Sequence, residues 1–98
     1  KITLPTVREK CTAVWHQYVI RCEERDRLIE YLDEKGIGTI IHYPIPPHLA
    51  EAYKYLGYEE GAFPKTEKCA KTVLSIPMYC GMTEEEQTRV IEAINAFV

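Results

Sequence analysis

The 98-residue sequence has no apolar stretch approaching the roughly 20 residues that a helical bilayer span requires, which excludes a transmembrane helix. Its opening, Lys-Ile-Thr-Leu-Pro-Thr, lacks the apolar core of a secretory signal. Nor is there a basic run: twelve Lys and Arg residues are scattered among fifteen Asp and Glu, for a net charge of −3. Binding to nucleic acid through phosphate neutralisation is therefore disfavoured. The four cysteines, Cys11, Cys22, Cys69 and Cys80, form no Cys-x-x-Cys pair, which argues against a disulfide scaffold. Free thiols in a reducing cytosol are expected. A zinc site recruiting them with His16, His42 and His48 has no ligand spacing to support it. Gly36 and Gly38 stand without the third glycine and the following helix of a phosphate loop, and no Gly-x-Ser-x-Gly elbow occurs.

What is present reads as one ordinary globular domain, 46% hydrophobic and 28% charged. Residues 1–12, with Pro5, have no clear periodicity and form a lead-in. Residues 13–22, rich in β-branched and aromatic side chains, make the strongest candidate strand. The acidic pair Glu23-Glu24 suits a helix amino terminus, and Leu28, Ile29 and Leu32 recur at helical spacing until Gly36 offers a left-handed cap. Residues 36–43 then read as a second strand, stopped by Pro44, Pro46 and Pro47. A short helix is expected over residues 48–56, with Ala52, Tyr55 and Leu56 inward, followed by a loop over 58–63.

Pro64 suits a first helical position, and Cys69, Ala70, Val73 and Leu74 follow with i, i+4 pairs. Residues 73–79 make a short third strand limited by Pro77. Thr83-Glu-Glu-Glu86 is a capping box, opening a helix with Val90, Ile91, Ile94 and Phe97 as its apolar stripe. The order β-α-β-α-α-β-α predicts an α+β two-layer sandwich, a small three-stranded sheet with helices on one face. The third strand is expected antiparallel between the first two, with a right-handed crossover if those two run parallel. The other sheet face is left for a partner.

Chemistry concentrates between Gly36 and His48, where two glycines, three prolines, two histidines and a tyrosine fall within thirteen residues. A strand that ends abruptly in prolines presents its last side chains at a rim. His42 and Tyr43 stand there as donors and acceptors for a ligand, unless the segment is only a rigid connection. His16, beside Trp15 and Tyr18, reads as a hydrogen-bonded structural histidine. Cys80 precedes a helix start that can lower a thiol pKa, but no base is identifiable beside it.

These residues resemble a known family. Trp-His-Gln-Tyr-Val-Ile-Arg (15–21), Arg25-Asp-Arg-Leu28 and Lys-Gly-Ile-Gly-Thr-Ile-Ile-His-Tyr-Pro-Ile-Pro-Pro-His-Leu (35–49) are similar to the carboxy-terminal domain of the DegT/DnrJ/EryC1/StrS sugar aminotransferases. So are Ala52-Tyr53, Leu56-Gly57-Tyr58, Phe63-Pro64, Leu74-Ser-Ile-Pro-Met-Tyr79 and Met82-Thr-Glu-Glu-Glu-Gln87. The resemblance implies the small domain of an aspartate-aminotransferase fold and a pyridoxal-phosphate enzyme that moves an amino group from glutamate to a nucleotide-linked keto sugar. It further implies bacterial surface-polysaccharide, lipopolysaccharide or antibiotic-sugar biosynthesis in the cytoplasm. The complete enzyme would be a homodimer, with the cofactor in a large amino-terminal domain that these residues do not include. The seven lysines follow no family motif for the Schiff base, so no cofactor residue is assigned here and the chain alone is expected to be inactive. His42 and Tyr43, and more weakly His48, carry over as contacts to the nucleotide-sugar substrate. The alternative is a free-standing interaction or small-ligand module of the same fold.

Overall fold

Helix α1 (Arg25–Glu34) starts where the acidic pair ends. The Glu24 carbonyl accepts the first helical N–H, from Leu28, at 3.0 Å, while the Glu24 carboxylate pairs with Arg27 at 2.8 Å. The helix ends as its glycine requires. Gly36 adopts φ +69° and donates to the Asp33 carbonyl at 2.8 Å, and the Ile37 N–H reaches back to Leu32 at 2.9 Å. Ile37 and Leu32 are both buried, closing the cap with an apolar contact.

The computed structural model describes residues 1–97. Three strands form one sheet in the order β1-β2-β3: β1 (Ile2–Thr3), β2 (Tyr18–Cys22) and β3 (Val73–Ile76), antiparallel throughout. Side-chain alternation puts Ile20, Cys22 and Leu74 on one face. Leu28 and Leu32 from α1, with Val90, Ala93 and Phe97 from α3 (Glu84–Phe97), cover that face, and Ile37 fills between them. This is the expected α+β two-layer arrangement. The opposite face is thinly covered, with Thr3 and Arg21 exposed and Val19 and Val73 half-buried.

Several boundaries differ from expectation. The strand expected over 13–22 begins only at Tyr18, which pairs with Ile76; the next partner would be Pro77, which has no N–H to donate. Residues 13–17 therefore lie outside the ladder, with Val14 and Trp15 exposed and His16 at an exposed bend rather than in a strand. The lead-in contains β1, whose two residues are too few to show a period. The strand expected over 36–43 is reduced to a single antiparallel bridge, Ile40 with Ser75. In this register Pro77, which has no N–H, falls opposite Gly38, and on the other side β3 begins only at Val73, so no strand partner exists beyond His42. The expected order survives in outline, since β3 has β2 on one side and Ile40 on the other.

The helix expected over 48–56 is two 3₁₀ turns, Pro47–Leu49 and Glu51–Leu56, separated by extended Ala50 and closed by Gly57 at φ +71°. Ala52, Tyr55 and Leu56 are exposed rather than inward, because no layer of this chain lies opposite them. Helix α2 (Pro64–Thr72) opens on its proline and buries Ala70, whereas Cys69 is exposed. The α2 helix passes into β3 with no intervening loop, Thr72 being followed directly by Val73. Arg25 secures the join by donating to the Ala70 carbonyl at 2.6 Å. The capping box of α3 forms in both directions: Thr83 N–H to Glu86 at 2.9 Å, and Glu86 N–H to the Thr83 hydroxyl at 3.2 Å. In its stripe Ile91 is 50% exposed, and Ala93 takes the inward place with Val90 and Phe97. No helix of the described residues is long and apolar enough to cross a membrane.

Candidate functional site

The Ile40–Ser75 bridge fixes the approach to the proline-rich segment: each residue's N–H donates to the other's carbonyl, at 3.1 and 2.8 Å. Two residues on, His42 is half-buried with its Nδ1 2.9 Å from the Ser75 hydroxyl. The hydroxyl can donate or accept, so either tautomer of the ring satisfies this bond. His42 thus keeps Nε2 as the ring nitrogen not engaged by Ser75. The Tyr43 ring meets the His42 ring edge-on at 5.3 Å and is 72% exposed. Beside them lies a cavity of about 250 Å³ whose polar lining includes His16, Gln17, Thr39, His42, Ser75 and Tyr79. Such a lining supplies both donors and acceptors, the chemistry needed to hold a polyhydroxylated ligand.

His48 is placed differently. It is 9% exposed, its ring lies edge-on to Phe63 at 4.9 Å, and its Nε2 is 3.0 Å from Glu67 Oε1. The same carboxylate accepts from the Gly61 N–H at 2.9 Å to both oxygens and from the Phe63 N–H at 3.1 Å. The Gly61 N–H, ahead of those of Phe63 and His48, holds the Glu67 carboxyl below its ordinary value although burial opposes this. The structure therefore brings His42 and Tyr43 together and seats His48 in a separate buried pair.

Sequence reasoning passed over Ser75 and Glu67. Ser75 had a signal, a lone hydroxyl inside the apolar run Val-Leu-Ser-Ile. Glu67 had none, as one carboxylate among several in a charged helix. Tyr79, half-exposed, is pushed above its ordinary phenol value by its hydrogen bond to Glu86, whose own carboxyl is lowered chiefly by the Thr83 N–H.

Cys22 is buried in the core while Cys11, Cys69 and Cys80 are exposed, and Cys80 stands outside the Thr83 cap. No group of three His, Cys, Asp or Glu residues among those described is placed to hold a metal ion. All seven lysines are exposed. Lys54, Lys68 and Lys71 are paired with Glu51, Glu23 and Glu60, and Glu60 pushes the Lys71 ammonium up.

The chain is similar to known proteins in sequence and in fold. A pleiotropic regulatory protein of Geobacillus stearothermophilus is 48% identical over 84 residues, covering 86% of this chain and 23% of that protein. A dTDP-3-amino-3,6-dideoxy-alpha-D-galactopyranose transaminase of Aneurinibacillus thermoaerophilus is 43% identical, covering 98% and 26%. Among solved structures, DesV of S. venezuelae in complex with a ketimine intermediate superposes with a TM-score of 0.94 at 38% identity, covering 98% of this chain and 26% of that one. NtdA of Bacillus subtilis with bound cofactor PMP gives 0.78 at 34% identity, covering 97% and 22%. The chain thus spans about a quarter of the length of the relatives it matches. The model of the DegT/DnrJ/EryC1/StrS aminotransferase family matches residues 1–95, and with these likenesses in sequence and fold the chain belongs to that family.

Proposed function

We propose that this chain is the carboxy-terminal domain of a cytoplasmic, homodimeric sugar aminotransferase, and that it forms one wall of the cleft for a nucleotide-linked keto sugar. Glutamate is the amino donor in this reading, and the product serves surface-polysaccharide or antibiotic-sugar biosynthesis. The observation that carries it is the His42–Tyr43 rim beside a cavity in which hydroxyl, amide and imidazole groups stand among Ile40, Ile76, Pro77 and Met78. In that wall His42 binds a sugar or phosphate oxygen through Nε2 while Ser75 fixes the ring. Exposed Tyr43 covers the ligand and offers its phenol as a second hydrogen bond. Both orient substrate, which is how a non-reacting wall contributes to rate. His48, buried on Glu67, supports the rim from behind.

Pyridoxal phosphate, the cofactor this family implies, supplies the electron sink for amino transfer when bound. The residues of this chain do not fit its anchoring site. A Schiff-base lysine needs an enclosed, desolvated setting that lowers its pKa. Every lysine here is exposed, and Lys71 is shifted the opposite way. The anchor belongs to the remainder of the protein, the large amino-terminal domain.

In the complete enzyme, His42→Ala and Tyr43→Phe are expected to raise KM for the sugar nucleotide or lower turnover, by about ten-fold for one lost hydrogen bond. Steady-state kinetics on both variants tests this. Unchanged constants in both would remove His42 and Tyr43 from the cleft.

A further inference from the structure

A carboxylate withdrawn from water is costly unless donors replace its hydration. Glu67 is 6% exposed and has such donors, but not from the helix that carries it. Its Oε1 alone accepts from His48, Gly61 and Phe63, at 3.0, 2.9 and 3.1 Å, and its Oε2 shares the Gly61 N–H. Gly61 and Phe63 belong to the loop before α2, and His48 to the first 3₁₀ turn. No strand ladder secures either segment. One side chain therefore fastens two irregular segments to a regular one.

From His48 the chain leads back to Tyr43 through Pro47, Pro46 and Pro44, each with its φ fixed by the pyrrolidine ring. At the far end, Ser75 holds His42. Glu67 and Ser75 lie on the continuous α2–β3 unit. The span from His42 to His48 is thus a stiff strap tied at both ends to one support.

We propose that Glu67 is a positioning residue for substrate binding, holding His48 and, through the proline strap, setting where His42 and Tyr43 stand. This rests on the cleft reading of His42 and Tyr43 given above.

The test uses the complete holoenzyme. Glu67→Ala, which removes every tie, is expected to raise KM for the sugar nucleotide about 10- to 100-fold, the scale of a small misplacement of binding groups, with KM for the amino donor unchanged. Glu67→Gln keeps an oxygen for the three Oε1 contacts and is expected to stay within about three-fold of the parent, the share left to one weakened bond. A folded Glu67→Ala enzyme with unchanged sugar KM overturns the proposal. Equal losses in Ala and Gln also overturn it, because charge and not the tether would then be acting. Should Glu67→Ala fail to fold, Glu67→Asp, one methylene short of its donors, is judged on the same two criteria. His42→Ala separates this proposal from the reading beneath it. Normal sugar kinetics in His42→Ala remove the cleft assignment itself, whereas impaired kinetics there with an unaffected Glu67→Ala remove only the positioning role.

Discussion

At the scale of single residues, the same buried carboxylate gives the fold a pH dependence. Glu67 is held below its ordinary value of 4.5 by the Gly61 N–H first, then by Phe63 and His48. Its folded-state pKa is depressed, so its contribution to stability is fully present above the unfolded value and is lost as pH falls through the folded one. Urea midpoints should therefore drop as pH is lowered below about 4.5, and Glu67→Gln should flatten that acid limb. Glu24 is lowered too, chiefly by Arg27, but its carboxylate is well exposed. Glu24→Gln should leave the limb nearly as steep, since exposed pairs contribute little. An acid limb unaltered by Glu67→Gln would show that the buried pair has no such role. His42 and Tyr43 were legible because a histidine and a tyrosine stood next to helix-breaking prolines in a familiar order. Glu67 was not, because its partners lie 4, 6 and 19 residues away and are mostly backbone.

At the scale of elements, what the sequence revealed depended on how local each cause was. The α3 cap needs only Thr83 and Glu86, and the α1 cap only Gly36 and its neighbours, so both could be read directly. Thr83→Ala leaves the Glu86 N–H without its acceptor and should cost about 1 kcal/mol. For a domain of this size that lowers Tm by about 4–8 °C, and differential scanning calorimetry measures it. An unchanged Tm would mean that water caps the helix equally well. Strand ends were harder to read. The start of β2 is decided by Pro77, nearly sixty residues away, and a period-2 pattern holds no information about a partner's missing N–H. The apolar residues of the second 3₁₀ turn showed a helical stripe, but Tyr55 and Leu56 face no other layer of this chain.

The whole molecule is more open than its length requires. The Cα radius of gyration is 15.6 Å, against about 13 Å for a compact chain of this length. Ile40, Tyr43, Ile45, Tyr55, Leu56 and Phe63 are all exposed along residues 40–63. A contiguous apolar patch marks an interface, and these side chains are the ones that would form it. Sedimentation of the 98-residue chain alone should show weight-average mass rising above 11.4 kDa with concentration. A strictly monomeric profile into the millimolar range would mean the exposed side chains are too scattered to act as a patch. Mixed with pyridoxal phosphate, the chain alone should develop no stable aldimine absorbance. A yellow adduct fixed by borohydride onto one lysine would contradict the assignment of the anchor to another domain. The loop-free junction of Thr72 and Val73 has a mechanical consequence. The two side chains that tie the ends of the rim, Glu67 and Ser75, stand on one unbroken stretch of backbone. A shift of that stretch would carry both ends of the rim with it, so that the segment moves as a whole.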